Sequence, residues 1–260
     1  MFRQRQPLAW LFHRNTSRSP HNLGPPSGPA PMGGAKEYLS APVLPLGAPR
    51  WPDTTLAQAL AARFSCRRFT GAPLSLEALG TLLYAAYGVR GTASFGDLQM
   101  HERTVPSGGG LYPLEVYVLA RAVEGLPAGI HHYAPASHAL EQVREGALPP
   151  GLLTQLFLRQ PYLEKASAVL VLTAMPERSL WKYSDRGYRY LLLEAGHVGQ
   201  NVNLAAAALG LGSFNLGGFL DQELAALLAL DAERELPVYG IALGVPEPLP
   251  RDVLRSPAGP

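Results

Sequence analysis

Arg63, Ser65 and Arg67 stand at alternating positions in the run Arg63-Phe64-Ser65-Cys66-Arg67-Arg68-Phe69. On extended backbone, alternate side chains point to the same side, so two guanidinium forks and a hydroxyl share one face. Such forks match phosphate oxygens bidentately, which makes the trio a phosphate clamp. A solvated basic edge without a ligand is the plainer alternative. Arg68 faces the other way and reads as structural, and Cys66 reads as a small buried hydrophobe rather than an activated thiolate. A second candidate is Pro106-Ser107-Gly108-Gly109-Gly110-Leu111-Tyr112-Pro113. Its glycines let backbone approach a ligand, and its amides can form a nest for an anion or for the edge of a heteroaromatic ring. It is neither a P-loop nor a dinucleotide fingerprint, because no Gly-Lys-Ser/Thr follows and a strand rather than a helix comes next. Lys182-Tyr183 offers an adjacent proton donor and acceptor. Gly217-Gly218 offers a second stretch of bare backbone.

Histidines carry less. Glu194 and His197 form one Glu-x-x-His pair, but a di-iron site needs a second pair and two further glutamates. A core histidine bonded to that glutamate is the reading taken. His131, His132 and His138 read as ordinary strand residues, so no metal is expected.

These residues need elements to hold them. Thr54 or Thr55 caps a helix running to Arg63, and Ser75 caps another through Tyr87, closed by Gly88. Residues 89–104 read as a polar loop. A strand over residues 115–120 follows the glycine run. A hairpin covers residues 130–133 and 138–143, with Ala134 to Ser137 between. Pro149 to Arg159 suggests a helix, and residues 168–174, apolar on both faces, a central strand. From Tyr190 to Leu209 runs a helix with little charge, expected to be buried on most sides and closed by Gly210 and Gly212. Asp221 caps a helix to Leu230, and residues 238–243 form a last strand. Strands and helices alternate without a strict βαβ rhythm, so the fold class is α+β. Residues 1–53, dense in proline and glycine, read as an extended arm, and residues 54–260 as one domain.

Composition sets outer limits. Over 260 residues the hydrophobic share is 47%, enough for a real core. A formal net charge of +2 gives no reason to expect nucleic acid. The single cysteine excludes an internal disulfide framework and a cysteine-cluster metal site. No apolar run reaches the roughly 18 residues of a membrane span, so a soluble cytoplasmic protein is the expectation.

Four motifs in this order resemble the nitroreductase superfamily, and within it the SagB-type dehydrogenases that include azoline oxidases. The segment from Arg63 to Phe69 is similar to the family's flavin-phosphate segment, and Pro106 to Pro113 resembles its Pro-Ser-Gly loop. Lys182-Tyr183, with Arg186, Tyr188 and Arg189, is similar to the Lys-Tyr motif of the azoline oxidases. Leu216-Gly217-Gly218-Phe219 looks like the loop against the flavin ring. Phe12-His13-Arg14-Asn15-Thr16 resembles the arm of that branch. The resemblance implies an FMN-dependent homodimer with flavins at the subunit interface and a central mixed or antiparallel sheet flanked by helices. It implies flavin phosphate and ribityl contacts from Arg63, Ser65 and Arg67, and ring contacts from Gly217 and Gly218. Pro106, Ser107, Gly108 and Gly109 would reach the flavin of the other subunit, Lys182 and Tyr183 would move the proton, and Arg251 is a candidate second phosphate contact. The substrate would be a small molecule or peptide. NAD(P)H-dependent nitro or quinone reduction is the rival activity, and a non-catalytic flavin-binding subunit of a peptide-modifying complex the rival of another class.

Overall fold

A computed structural model describes residues 2–18, 36–95 and 98–248; Arg251 and the Pro/Gly-rich passage from Gly24 to Gly34 lie outside them. In chain order the helices are α1 (Phe2–Arg5), α2 (Pro7–Asn15), α3 (Leu56–Ala62), α4 (Leu76–Tyr87), α5 (Leu152–Leu156), α6 (Glu177–Tyr183), α7 (Arg186–Ala208) and α8 (Asp221–Leu227). The strands are β1 (Val43–Pro45), β2 (Leu74–Ser75), β3 (Val89–Phe95), β4 (Leu98–Arg103), β5 (Leu114–Ala120), β6 (Val123–Glu124), β7 (Gly129–Ala134), β8 (Ala139–Glu145), β9 (Ala168–Ala174), β10 (Gly212–Leu216) and β11 (Leu236–Gly244).

Seven strands form the central sheet in the order β1-β8-β7-β5-β9-β11-β10, and every neighbouring pair in it is antiparallel. The alternation on β9 divides the core. Leu170 and Leu172 pack with α4 and α7 through Leu79, Leu82, Leu83, Leu191, Val198 and Val202. Val169 and Val171 pack on the opposite side with Leu153, Leu156, Phe157, Leu224 and Leu228. Such a sheet, covered on both faces, explains why β5 and β9 are buried at every position.

Helix starts follow local chemistry. The Thr55 hydroxyl accepts from the Gln58 N–H while Gln58 reaches back to the Thr55 N–H, a capping box for α3. Ser75 accepts from the Ala78 N–H and caps α4.

Four expectations need correction. Residues 89–104 hold an antiparallel hairpin, β3 with β4, rather than a loop; two runs flanking Gly96-Asp97 were the hairpin signal available. The expected helix from Pro149 to Arg159 shrinks to α5, and a helix over residues 177–183 went unforeseen. The arm is not extended throughout, because Pro7 starts a nine-residue helix. Finally, α7 is buried along one strip only: Leu192 and Leu193 are 42% and 60% exposed, and Gly196, His197 and Gln200 are exposed with them. Among the described residues no helix is long and apolar enough to cross a membrane.

Candidate active site

The glycine loop and the Lys-Tyr pair meet. Ser107 to Gly110 makes one tight turn closed by the Gly110 N–H donating to the Ser107 carbonyl at 3.1 Å. Gly109 has φ +69°, in the left-handed region that favours glycine. A β-carbon at Gly109 would lie 2.5 Å from the Tyr183 hydroxyl and 2.8 Å from Lys182 Nζ, so the absence of a side chain is what admits both groups. Tyr190, one turn into α7, packs edge to face on Tyr183 at 4.9 Å between ring centroids and lies against Gly108. Lys182 lines a cavity of about 350 Å³ with Gly109, Gly110, Tyr112 and, from the hairpin, Ala93, His101 and Glu102. Glu102 is held in turn by Arg90 at 3.0 Å.

Beneath the loop lies Glu194, 2% exposed. The Tyr87 hydroxyl donates to Glu194 Oε1 at 2.5 Å and accepts from the Leu114 N–H at 3.2 Å. Glu194 Oε2 has no hydrogen-bond partner among the described residues. Burial pushes this carboxyl up to about 7, against the opposing pull of Ser107, Tyr87 and the Arg103 guanidinium. The expected Glu194–His197 bond is absent, since His197 is exposed while Glu194 points inward.

Arg63, Ser65 and Arg67 form a separate group. Ser65 bridges to Ser213 of β10, and the Cys66 N–H donates to the Ser213 carbonyl at 2.9 Å. This pairing turns Ser65 and Arg67 outward and buries Cys66, whose thiol lies where a β-carbon of Gly212 would be. Arg67 stacks on Phe214 at 4.5 Å. Arg68 pairs with Glu247 at 2.8 Å, the structural role expected of it. Among the described residues, Arg63 and Arg67 have no carboxylate in ion-pair reach. Two guanidiniums without an acidic partner beside an outward hydroxyl fit an anionic ligand such as a flavin phosphate. Gly217 and Gly218 are exposed at the far end of β10.

One chain does not unite these groups. Ser213 donates to Asn203 near the end of α7, whereas Lys182-Tyr183 precedes its start. From Arg186 to Asn203 the helix rises about 26 Å.

A buried charged cluster on the sheet face opposite α7 also escaped sequence reading. His132 bonds Glu141 at 2.7 Å and Glu115 at 3.0 Å, and Arg178 reaches Glu115 at 2.6 Å. Burial alone would raise Glu115, but His132 and Arg178 outweigh it and hold that carboxyl below its usual range. Because the four residues come from four separate elements, β5, β7, β8 and α6, spacing gave no signal. Among the described residues no group of histidine, cysteine, aspartate or glutamate could hold a metal ion.

The family model for nitroreductases matches residues 60–245. This chain belongs to the nitroreductase family. It is 36% identical over 192 residues to a protein of Methanocaldococcus jannaschii that bears the nitroreductase name, covering 74% of this chain and 91% of that one. It is also 36% identical over 146 residues to the microcin B17-processing protein McbC of Escherichia coli, covering 52% of each. Among solved structures, a nitroreductase-like protein of Anabaena variabilis aligns with TM-score 0.70 and 28% identity over 91% of this chain but 46% of that one. A chain of the E. coli microcin synthetase complex McbBCD, solved with truncated pro-MccB17 bound, aligns with TM-score 0.60 and 26% identity over 95% of this chain and 86% of that one. The nitroreductase match accounts for the α+β architecture.

Proposed function

We propose that this chain is an FMN-dependent dehydrogenase of the SagB type, oxidising an azoline or a similar heterocycle in a peptidic or small substrate. The observation that carries this is the convergence of Lys182 Nζ and the Tyr183 hydroxyl on the bare backbone of Gly109. Bound FMN would supply the acceptor for a hydride leaving a substrate carbon. Arg63, Ser65 and Arg67 would hold its phosphate and ribityl chain, with Arg251 a further basic candidate, and Gly217 and Gly218 would offer backbone N–H groups to its ring. Lys182 or Tyr183 takes the proton that leaves as the substrate ring becomes unsaturated. The hairpin cavity beside Lys182 receives the heterocycle and screens it from water.

The separation along α7 favours a site shared between two copies of the chain. In a homodimer with α7 at its centre, Pro106 to Gly109 and the Lys-Tyr pair of one protomer face the phosphate clamp of its partner. The exposed row Leu192, Leu193 and Gly196 is the apolar strip that such an interface needs. A peptidic substrate is favoured by the likeness to McbC and to the McbBCD chain, whose names describe microcin B17 processing and a bound pro-peptide.

Purified protein should be yellow or take up added FMN. Lys182→Ala and Tyr183→Phe should each lower azoline-peptide oxidation by about a hundredfold or more with FMN retained; wild-type turnover in both would reject the assignment. The M. jannaschii relative supports the rival, reduction of nitro compounds or quinones with NAD(P)H. Anaerobic bleaching of the flavin by NAD(P)H but not by an azoline peptide would favour that rival. FMN binding with no response to either would leave a non-catalytic subunit.

A further inference from the structure

The turn carrying Lys182 and Tyr183 is strained and held from outside. Ser184, which ends α6, has φ +49° and ψ −150°, a region that side chains rarely adopt and that persists only where neighbours enforce it. Three residues on, a β-carbon at Gly187 would lie 3.0 Å from the Ser179 backbone, so α6 and α7 meet as closely as glycine allows. Because the chain swings away at Ser184, the Tyr183 carbonyl faces outward at a helix C-terminus, where a cation is favoured. Arg18 Nη2 donates to it at 2.6 Å.

Behind Arg18 the N-terminal segment is fastened to α7. Arg189 Nε donates to the Thr16 hydroxyl at 2.6 Å and Arg186 to the Thr16 carbonyl at 3.0 Å, and Arg189 also donates to the His13 carbonyl. Phe12 packs edge to face on Tyr188 at 5.7 Å. Thr16 is 3% exposed, deep for a residue on an arm. The contacts close a ring: Arg18 holds Tyr183, Tyr183 packs on Tyr190, Arg186 lies over Tyr190, and Arg186 returns to Thr16.

We propose that Pro7 to Arg18 is a strap that holds the Lys182-Tyr183 turn in its reactive geometry, with Arg18 and Thr16 as positioning residues. The inference rests on the proton-transfer reading of that pair for its consequence, but not for its geometry. The arm is then part of the site, reaching it from outside the residues matched by the family model.

The chain contains three lysines, Lys36, Lys165 and Lys182, so acetylation followed by mass spectrometry reads Lys182 against Lys165 as an internal reference. In full-length Arg18→Ala and Thr16→Val, the Lys182 to Lys165 labelling ratio should change by about threefold or more, and amides of residues 184–189 should exchange about tenfold faster. Arg18→Lys, which keeps a cation for the carbonyl, should restore both towards wild type. In turnover the Arg18→Ala loss should fall on kcat rather than KM. Unchanged labelling and exchange in folded Arg18→Ala protein would overturn the proposal. If labelling and exchange respond as stated while Lys182→Ala retains turnover, the strap stands and the proton assignment falls.

Discussion

Gly109 shows most directly how a single residue admits chemistry. Its positive φ and the close approach of Lys182 and Tyr183 both exclude a side chain. Gly109→Ala should therefore displace the pair and lower kcat by about tenfold or more, with FMN content unchanged, because the strain falls on the proton-transfer groups rather than the phosphate clamp. Flavin content and steady-state rates check this together. The clamp answers to different arithmetic. A hydrogen bond to a charged group contributes about 1.5–3 kcal/mol, so Arg67→Ala should weaken FMN binding by about tenfold to a hundredfold. Titration of stripped protein with FMN measures it, and unchanged affinity would remove Arg67 from the phosphate site. Alternation made the shared outward face of Ser65 and Arg67 legible from sequence, and burial of Cys66 between them bears out the alternation. No spacing rule could find Glu194 beneath Ser107, because its partner Tyr87 is 107 residues away in the chain.

At the scale of elements, α7 carries most of the consequences. Its first turns place Tyr190 and Glu194 under the glycine loop, and its last turns hold Asn203 against Ser213. Glu194 makes the packing of α7 sensitive to pH. Its folded value of about 7 lies above the ordinary 4.5, so the folded state holds a proton that the unfolded state releases between those values. The stabilisation is complete below about pH 4.5 and is lost as pH rises through about 7, with an upper bound of about 3 kcal/mol. The melting temperature of Glu194→Gln should consequently fall less between pH 5 and 8 than that of wild type, by a few degrees. Parallel melting curves for the two proteins would reject the assignment. The shortage of charge along α7 suggested burial on most sides. The exposed Leu192 and Leu193 show instead that this helix keeps an apolar strip bare along one side. Gly196 and Gly199 divide: a β-carbon at Gly199 would meet Tyr239 within the chain, while Gly196 opens to solvent.

At the scale of the whole molecule, the antiparallel sheet separates two cores, and α7 sets the Lys182-Tyr183 pair at one end and the strand that pairs with Ser65 near the other. A second copy across the exposed strip would bring them together. Leu193→Arg should therefore yield a monomer that has also lost FMN, read by light scattering and by the flavin absorbance of the same sample. A monomer that keeps FMN at full affinity would mean that one chain suffices.

By itself the sequence determined what depends on neighbours a few residues away. Caps at Thr55 and Ser75, the apolar run of β9, the alternation around Cys66 and the bare glycines all follow from local backbone and side-chain rules. Even the hairpin of β3 and β4 was within reach of those rules. The tertiary structure alone decided which of these pieces meet. It set Gly109 against Lys182 and Tyr183, buried Glu194 while leaving His197 outside, and laid Arg18 across the Tyr183 carbonyl from 165 residues away. Those contacts depend on the angle at which α6 meets α7 and on the path of the arm. Both are set by packing across the molecule, which local periodicity does not encode.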